Sequence, residues 1–315
     1  MDEDFLGHGI NVEIPLLYTY SQYQAYQFKA SVPLTSRSSA NRLTFDLGAG
    51  YLSRARDDFF GIGNESARDD ERQLRWVTRQ ASAGVSANLN EHWKSHFEGV
   101  YRSVGVTKPT TGWSAQDHFD AESVPGLFGA KLSSFVFSIA HDTQQRENNS
   151  FQGGSDQFNL SFNRSIDGGD FAYWQYHLES QHFFPISSDG RKVIAARGLI
   201  ETNATTDGHS MPFFDMPTVG SSSTIRGFEN FRFRDKTALA MSLEYRYRIW
   251  PALDWGLFID EGQVAPQLGD LGLDRFHTGY GVRLFVWPKP NLPISLDYGR
   301  SRETWRLYVN INTRF

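Results

Sequence analysis

The amino-acid sequence predicts an all-β fold, a transmembrane antiparallel β-barrel. Three observations carry this: strand after strand alternates apolar and polar residues, the connections alternate in length, and aromatic residues make up 15% of the chain (25 Phe, 13 Tyr and 8 Trp in 315 residues). In a barrel strand every second residue meets lipid and the others meet a wet lumen. The alternation is then strict while the mean hydropathy stays low, and here it is −0.47. No window approaches the roughly 20 apolar residues that a membrane-spanning helix requires. Aromatics in this number suit girdles at two membrane interfaces better than a soluble core.

Alternation places fourteen strands near 9–18, 23–33, 41–53, 72–88, 92–103, 129–140, 155–165, 172–183, 191–201, 237–249, 252–261, 275–286, 292–299 and 304–315. The last is the clearest. Trp305, Leu307, Val309, Ile311, Thr313 and Phe315 share one face, and Arg306, Tyr308, Asn310, Asn312 and Arg314 the other. A face so regularly polar lies against water, not lipid. The same division puts Ser242, Glu244, Arg246 and Arg248 on the wet face of 237–249, and Asp254, Gly256, Phe258 and Asp260 on that of 252–261. A soluble sandwich would rarely give each of so many strands one apolar and one charged face, and no repeat at propeller spacing is present.

Connections after even-numbered strands are mostly short, as at Asn88–Glu91, Pro185–Gly190, Trp250–Pro251 and Trp287–Asn291. The long ones follow odd-numbered strands: Arg54–Glu71, Val104–Phe128, Thr202–Lys236 and Gly262–Asp274. One long stretch, His141–Gly154, breaks the parity. Bacterial barrels have short periplasmic turns and longer outer loops, so the expected location is the bacterial outer membrane with both termini periplasmic. A net charge of −5 gives no support for a nucleic-acid partner, and the absence of cysteine fits an envelope protein. The start, Met1-Asp2-Glu3-Asp4, is no signal peptide, so a removed leader or a larger N-terminal region is expected ahead of it.

The longest odd-strand loop runs through Pro212-Phe213-Phe214-Asp215-Met216-Pro217 to Ser223-Thr224-Ile225-Arg226-Gly227-Phe228. With Phe231 and Phe233 it is too aromatic to lie in water, and inside a wide barrel its cover is the lumen.

At this point the sequence resembles the BamA/TamA superfamily of outer-membrane assembly and secretion barrels. The family's Arg-Gly-(Phe/Tyr) loop tip matches Arg226-Gly227-Phe228, followed by Arg232-Phe233-Arg234-Asp235. Glu244-Tyr245-Arg246-Tyr247, Phe258-Ile259-Asp260-Glu261-Gly262, Gly279-Tyr280-Gly281-Val282-Arg283 and Leu296-Asp297-Tyr298-Gly299 match its last strands in order. Upstream, Phe59-Phe60-Gly61-Ile62-Gly63-Asn64-Glu65-Ser66 resembles another of its loops, so the likeness covers about residues 55–315. It implies a barrel of 16 strands where the pattern gives 14, a tip folded into the lumen, and a role in inserting or translocating proteins. It also implies outer-membrane lipid and lipopolysaccharide, the outer-membrane assembly machinery and a client or passenger protein as partners.

The residues support a lock at that tip. Alternation puts Glu244 and Asp260 on the wet face of adjacent strands, where two carboxylates can saturate the five donors of the Arg226 guanidinium. Gly227 lets the backbone turn close to the wall, and Phe228 anchors it. Neither a metal nor a cofactor is expected.

The sequence also departs from the family. Only Met1–His8 precede the first strand, so residues 1–315 read as one barrel domain without periplasmic repeats. The glycine pair ahead of the tip is Gly220-Ser221, a turn motif survives only as Asp142-Thr143-Gln144, and the last strand lacks glycine. Closure would pair 9–18 with 304–315, and Pro15 would remove a donor from that seam. Trp305 and Phe315 look like the C-terminal signal read by the assembly machinery.

Three other functions compete. One is the translocator barrel of a patatin-type autotransporter or two-partner secretion system; the others are an outer-membrane lipid hydrolase and a passive pore. The sequence has no G-x-S-x-G elbow and no HExxH, so an enzyme is not expected.

Overall fold

The computed structural model describes residues 9–19, 23–35, 42–109, 112–147, 150–289 and 292–311. The β-segments among them are β1 (Asn11–Glu13), β2 (Leu16–Tyr18), β3 (Gln24–Pro33), β4 (Arg42–Phe59), β5 (Arg72–Asn88), β6 (Trp93–Thr107), β7 (Gly129–Asp142), β8 (Gln145–Glu147), β9 (Ser150–Ser165), β10 (Ala172–Pro185), β11 (Lys192–Thr205), β12 (Thr218–Val219), β13 (Phe233–Arg234), β14 (Thr237–Trp250), β15 (Leu253–Ala265), β16 (His277–Lys289), β17 (Leu292–Ser301) and β18 (Trp305–Ile311). All but β12 and β13 join one antiparallel sheet in chain order. Fourteen segments lie along its path, and β2 and β8 are continuations. Glu13 faces Lys29 and Leu16 faces Tyr26, so β1 and β2 are one strand in a single register against β3. Among the described residues, the fourteen strands of the alternation pattern correspond one to one with these positions.

Antiparallel neighbours satisfy one another's backbone groups, the condition for strands to cross a bilayer. The outer faces are apolar. On β18, Trp305, Leu307, Val309 and Ile311 are 55–68% exposed, while Arg306, Tyr308 and Asn310 turn inward. Leu243, Leu257, Ile259, Val282 and Leu296 continue this face on the preceding strands. Among the described residues no ladder joins β1 or β2 to β18. Thr313 and Phe315, assigned to the last strand, lie outside the described residues.

Three expectations are corrected. The long stretch 141–154 is strand: Asp142 faces Ser155 and Gln145 faces Gln152 in one register, so only two residues separate Glu147 from Ser150. The short-turn parity therefore holds there too. Asp142-Thr143-Gln144 consequently lies along this strand and not at a turn. Pro15 does not weaken the seam. Its carbonyl accepts from the Gln27 amide of β3 at 3.0 Å, and in an antiparallel pair both polar groups of a residue point the same way. The missing donor is thus lost from the ladder with β3.

Several strands outrun their predicted ends: β4 reaches Phe59, β6 Thr107, β11 Thr205 and β15 Ala265. On β15, Gly262, Gln263, Val264 and Ala265 are all buried, so burial no longer alternates there. Phe59, Leu74, Val104, Val106, Tyr173, Met211 and Phe213 form a buried cluster beneath the loops. In β4 a bulge between Arg54 and Asp57 shifts the register as well.

The loop between β11 and β14 fills the interior. Its small hairpin, β12 with β13, stands apart from the main sheet, and Phe213, Phe228 and Phe233 are fully buried. At one end Asp215 accepts hydrogen bonds from Arg102 of β6 and Tyr173 of β10. At the other, Arg232 bridges Ser66, after β4, to Glu303, between β17 and β18. Opposite walls of the sheet thus hold the same plug.

Candidate functional site: the seat of the lumen plug

Four neighbouring strands build the seat, because period-2 geometry sends every second residue inward. β14 contributes Ser242, Glu244 and Arg246; β15 Phe258 and Asp260; β16 Gly279 and Arg283; and β17 Asp297, Gly299 and Ser301. Glu244, Asp260 and Asp297 have no solvent exposure.

Arg226 enters this pocket from the loop. Its Nε donates to Asp260 Oδ2 and its Nη2 to Asp260 Oδ1, both at 2.7 Å, a bidentate pair. The Arg226 amide also donates to Asp260 Oδ2 at 3.0 Å. Nη2 reaches Ser242 Oγ at 3.2 Å, and the guanidinium stacks 3.3 Å from the Phe258 ring centroid. Glu244 is the weaker partner: Nη1 donates to its Oε2 at 3.4 Å and lies 3.7 Å from Asp297 Oδ2.

Glu244 is held chiefly by residues that the sequence reasoning did not nominate. Arg246 Nε donates to its Oε1 at 2.6 Å and Arg283 Nη1 to its Oε2 at 3.0 Å. Arg283 also makes a bidentate pair with Asp297, at 2.7 and 2.6 Å. Three guanidiniums therefore face three carboxylates in a site closed to water. Balance of this kind offsets the desolvation of each group; removing one member leaves a buried charge behind. The missed pair had a signal, since Arg283 and Asp297 are direct cross-strand partners on the inward face of β16 and β17.

The seat depends on close backbone approach. Gly227 has φ +94°, and a Cβ there would stand 2.5 Å from the Arg300 carbonyl carbon. Its amide donates to Tyr308 Oη at 3.0 Å, and that hydroxyl donates on to the Phe228 carbonyl at 3.2 Å. Ser301 Oγ donates to the Gly227 carbonyl at 2.8 Å. Phe228 packs edge-on against Phe233, which stacks on His277 at 3.8 Å. Tyr308→Phe is expected to leave the buried Gly227 amide unpaired and to lower stability by about 1–3 kcal/mol, read as a lower unfolding temperature on semi-native gels.

The remaining nominated residues lie apart. Trp305 faces outward and stacks on Tyr298 at 6.1 Å, as an interfacial aromatic would, and Phe315 lies outside the described residues. Among the described residues two serines meet a histidine: Ser180 Oγ is 3.1 Å from His182 Nε2 and donates to Asp156 Oδ1 at 2.6 Å, and Ser86 Oγ is 2.8 Å from His96 Nδ1. The Ser86 hydroxyl donates to Asp46 Oδ2 at 2.5 Å, so each serine proton is committed to a carboxylate and not to the imidazole.

Outward apolar strands, a charged inner wall and an internally seated loop define an outer-membrane barrel with a lumen plug. The chain belongs to the Omp85 superfamily, whose domain model matches residues 4–315. Its fold is similar to that of BamA from Haemophilus ducreyi lacking POTRA domains 1–3, with a TM-score of 0.70 at 14% identity. That match covers 98% of this chain and 65% of the BamA chain. CdiB from Escherichia coli (TM-score 0.57, 15% identity) and CdiB from Acinetobacter baumannii (0.57, 12%) match over 98% and 96% of this chain. The chain spans 57% and 53% of those two proteins.

Proposed function

We propose that this barrel inserts or translocates polypeptides at the bacterial outer membrane, working by conformational change without covalent chemistry. The observation that carries this reading is the plug seat. In a chain of the Omp85 superfamily, a loop clamped to the inner wall through Arg226 and Asp260 obstructs free diffusion through the lumen. A passive pore has no use for such a plug. On this reading Arg226, Gly227 and Phe228 lock the loop, and Asp260 and Glu244 receive it. Trp305 and Phe315 carry the signal by which the assembly machinery takes up the barrel itself. Lipid and lipopolysaccharide surround the outer face, and an unfolded client or passenger chain is the substrate.

The lengths of the connections support a periplasmic position for both termini. The start of β1 and the end of β18 lie on the side of the short turns, whereas the 60–71 and 266–276 loops lie on the other, the arrangement of a barrel with a periplasmic start and finish.

The test is reconstitution in lipid vesicles, presenting a urea-unfolded outer-membrane barrel as client. The protein is expected to accelerate client folding, scored by heat-modifiable migration, over empty vesicles. A client folding rate no higher than in vesicles bearing an unrelated barrel would sink the insertase reading. Steady single-channel conductance from the intact chain would favour the pore.

A further inference from the structure

Beside the plug seat lies a second site, a cavity of about 350 Å³ between the plug and the inner wall of β4–β6. It is lined by Arg54, Arg102 and Arg234 together with Trp76, Phe214 and Phe231. Three guanidiniums meet there, and the two nearest carboxylates are already engaged. Asp57 accepts from Arg54 at 3.0 Å and from Trp76 Nε1 at 2.5 Å, while Asp215 accepts from Arg102 and Tyr173.

Arg234 is left with neutral partners. It is 4% exposed, and no carboxylate of the described residues lies within ion-pair distance of it. Its Nη1 donates to the carbonyls of Phe213 at 2.8 Å and Met216 at 3.5 Å. Its Nε meets no acceptor among the described residues, and neither does the buried Nε of Arg54. Burial, opposed by Asp57 and reinforced by Arg54, pulls the Arg234 guanidinium below its usual range, to about 10. A buried cation with a spare donor and no carboxylate in ion-pair contact is costly, and an anion would offset that cost. Phe231 adds a second irregularity. It is the single non-glycine residue with positive φ among the described residues, at 60°, and strained backbone of this kind gathers at binding sites.

We propose that this cavity binds a small organic anion, its phosphate or carboxylate head held by Arg54 and Arg234 and its apolar or aromatic body held against Trp76, Phe214 and Phe231. Guanidinium forks fit such heads, and the ring walls suit a flat or aliphatic body. Gln80 and Arg102 line this cavity and also an adjoining polar chamber of about 390 Å³. This assignment stands independently of the insertase reading.

Phenyl phosphate titrated into the refolded full chain in nonionic detergent, followed by calorimetry, tests the proposal. Saturable one-to-one binding is expected, with Arg234→Gln and Arg54→Gln each weakening it about ten- to a hundredfold, the worth of a hydrogen bond to a charged group. Benzylamine, of similar shape and opposite charge, is expected not to bind. Inorganic phosphate, lacking the ring, is expected to bind at least about tenfold more weakly. Dihexanoyl phosphatidic acid, too large for the cavity, is expected not to compete. Absence of phenyl phosphate binding would overturn the proposal, as would affinity indifferent to both substitutions, equal binding of benzylamine or inorganic phosphate, or competition by the lipid. Should Arg234→Gln fail to fold, Arg54→Gln, at the partly exposed edge of the cavity, decides alone.

Discussion

Replacing Arg226 by alanine is expected to destabilise the folded barrel by about 3–5 kcal/mol, the usual consequence of stranding a buried charge. Asp260 would keep a single polar side-chain partner, Ser242 Oγ at 2.6 Å, and three carboxylates would share Arg246 and Arg283. Arg226→Lys is expected to restore little, because an ammonium cannot reproduce the two parallel bonds to Asp260 or the stack on Phe258. The double variant Arg226→Ala with Asp260→Ala should lose less than the sum of the two single losses, since each single change leaves the other charge buried. Salt should matter little, because the pair is closed to solvent. The readouts are the temperature at which the folded band disappears on semi-native gels and the rate at which protease cuts residues 206–236. A variant matching the wild type in both would rule the lock out.

Much of this site was legible in the sequence, for an identifiable reason. Inward and outward residues alternate rigidly wherever one face meets lipid, so Glu244 and Asp260 could be placed on the wet face of neighbouring strands from pattern alone. Arg226 could not be placed that way, since a loop has no period; the resemblance of Arg226-Gly227-Phe228 to a family motif supplied it. What remained hidden was the division of labour. Asp260 takes the bidentate pair, while Glu244 is held mainly by Arg246 and Arg283, a choice made by cross-strand register and side-chain reach. The strand ends were hidden for the opposite reason. At Gly262, Gln263, Val264 and Ala265 of β15 successive residues are all buried, and in β4 a bulge between Arg54 and Asp57 shifts the register, so the alternation that identified the strands is broken there.

Gly279→Val is expected to expel the plug from its seat by shape alone, with every charge intact. A Cβ at Gly279 would lie 2.1 Å from the Arg226 carbonyl oxygen and 3.1 Å from Ile225 Cγ2. The carbonyl has nowhere to go, because the Arg226 amide is bound to Asp260 and the Gly227 carbonyl to Ser301. Overpacking usually costs about 1–3 kcal/mol where side chains can repack; a backbone group pinned on both sides cannot, so the plug itself must move. Valine is otherwise well suited to a strand, and the barrel wall should therefore stay folded. Gly198→Val on β11 is the matched control, since a Cβ there meets nothing within 4 Å. Faster protease cleavage of 206–236 and higher single-channel conductance are expected for Gly279→Val, with neither change for Gly198→Val. Arg226→Ala removes the charge and leaves the space, whereas Gly279→Val removes the space and leaves the charge. If both free the loop, the plug is held by charge and fit together; if Gly279→Val behaves like its control, the close approach of Arg226 to β16 is not part of the seat.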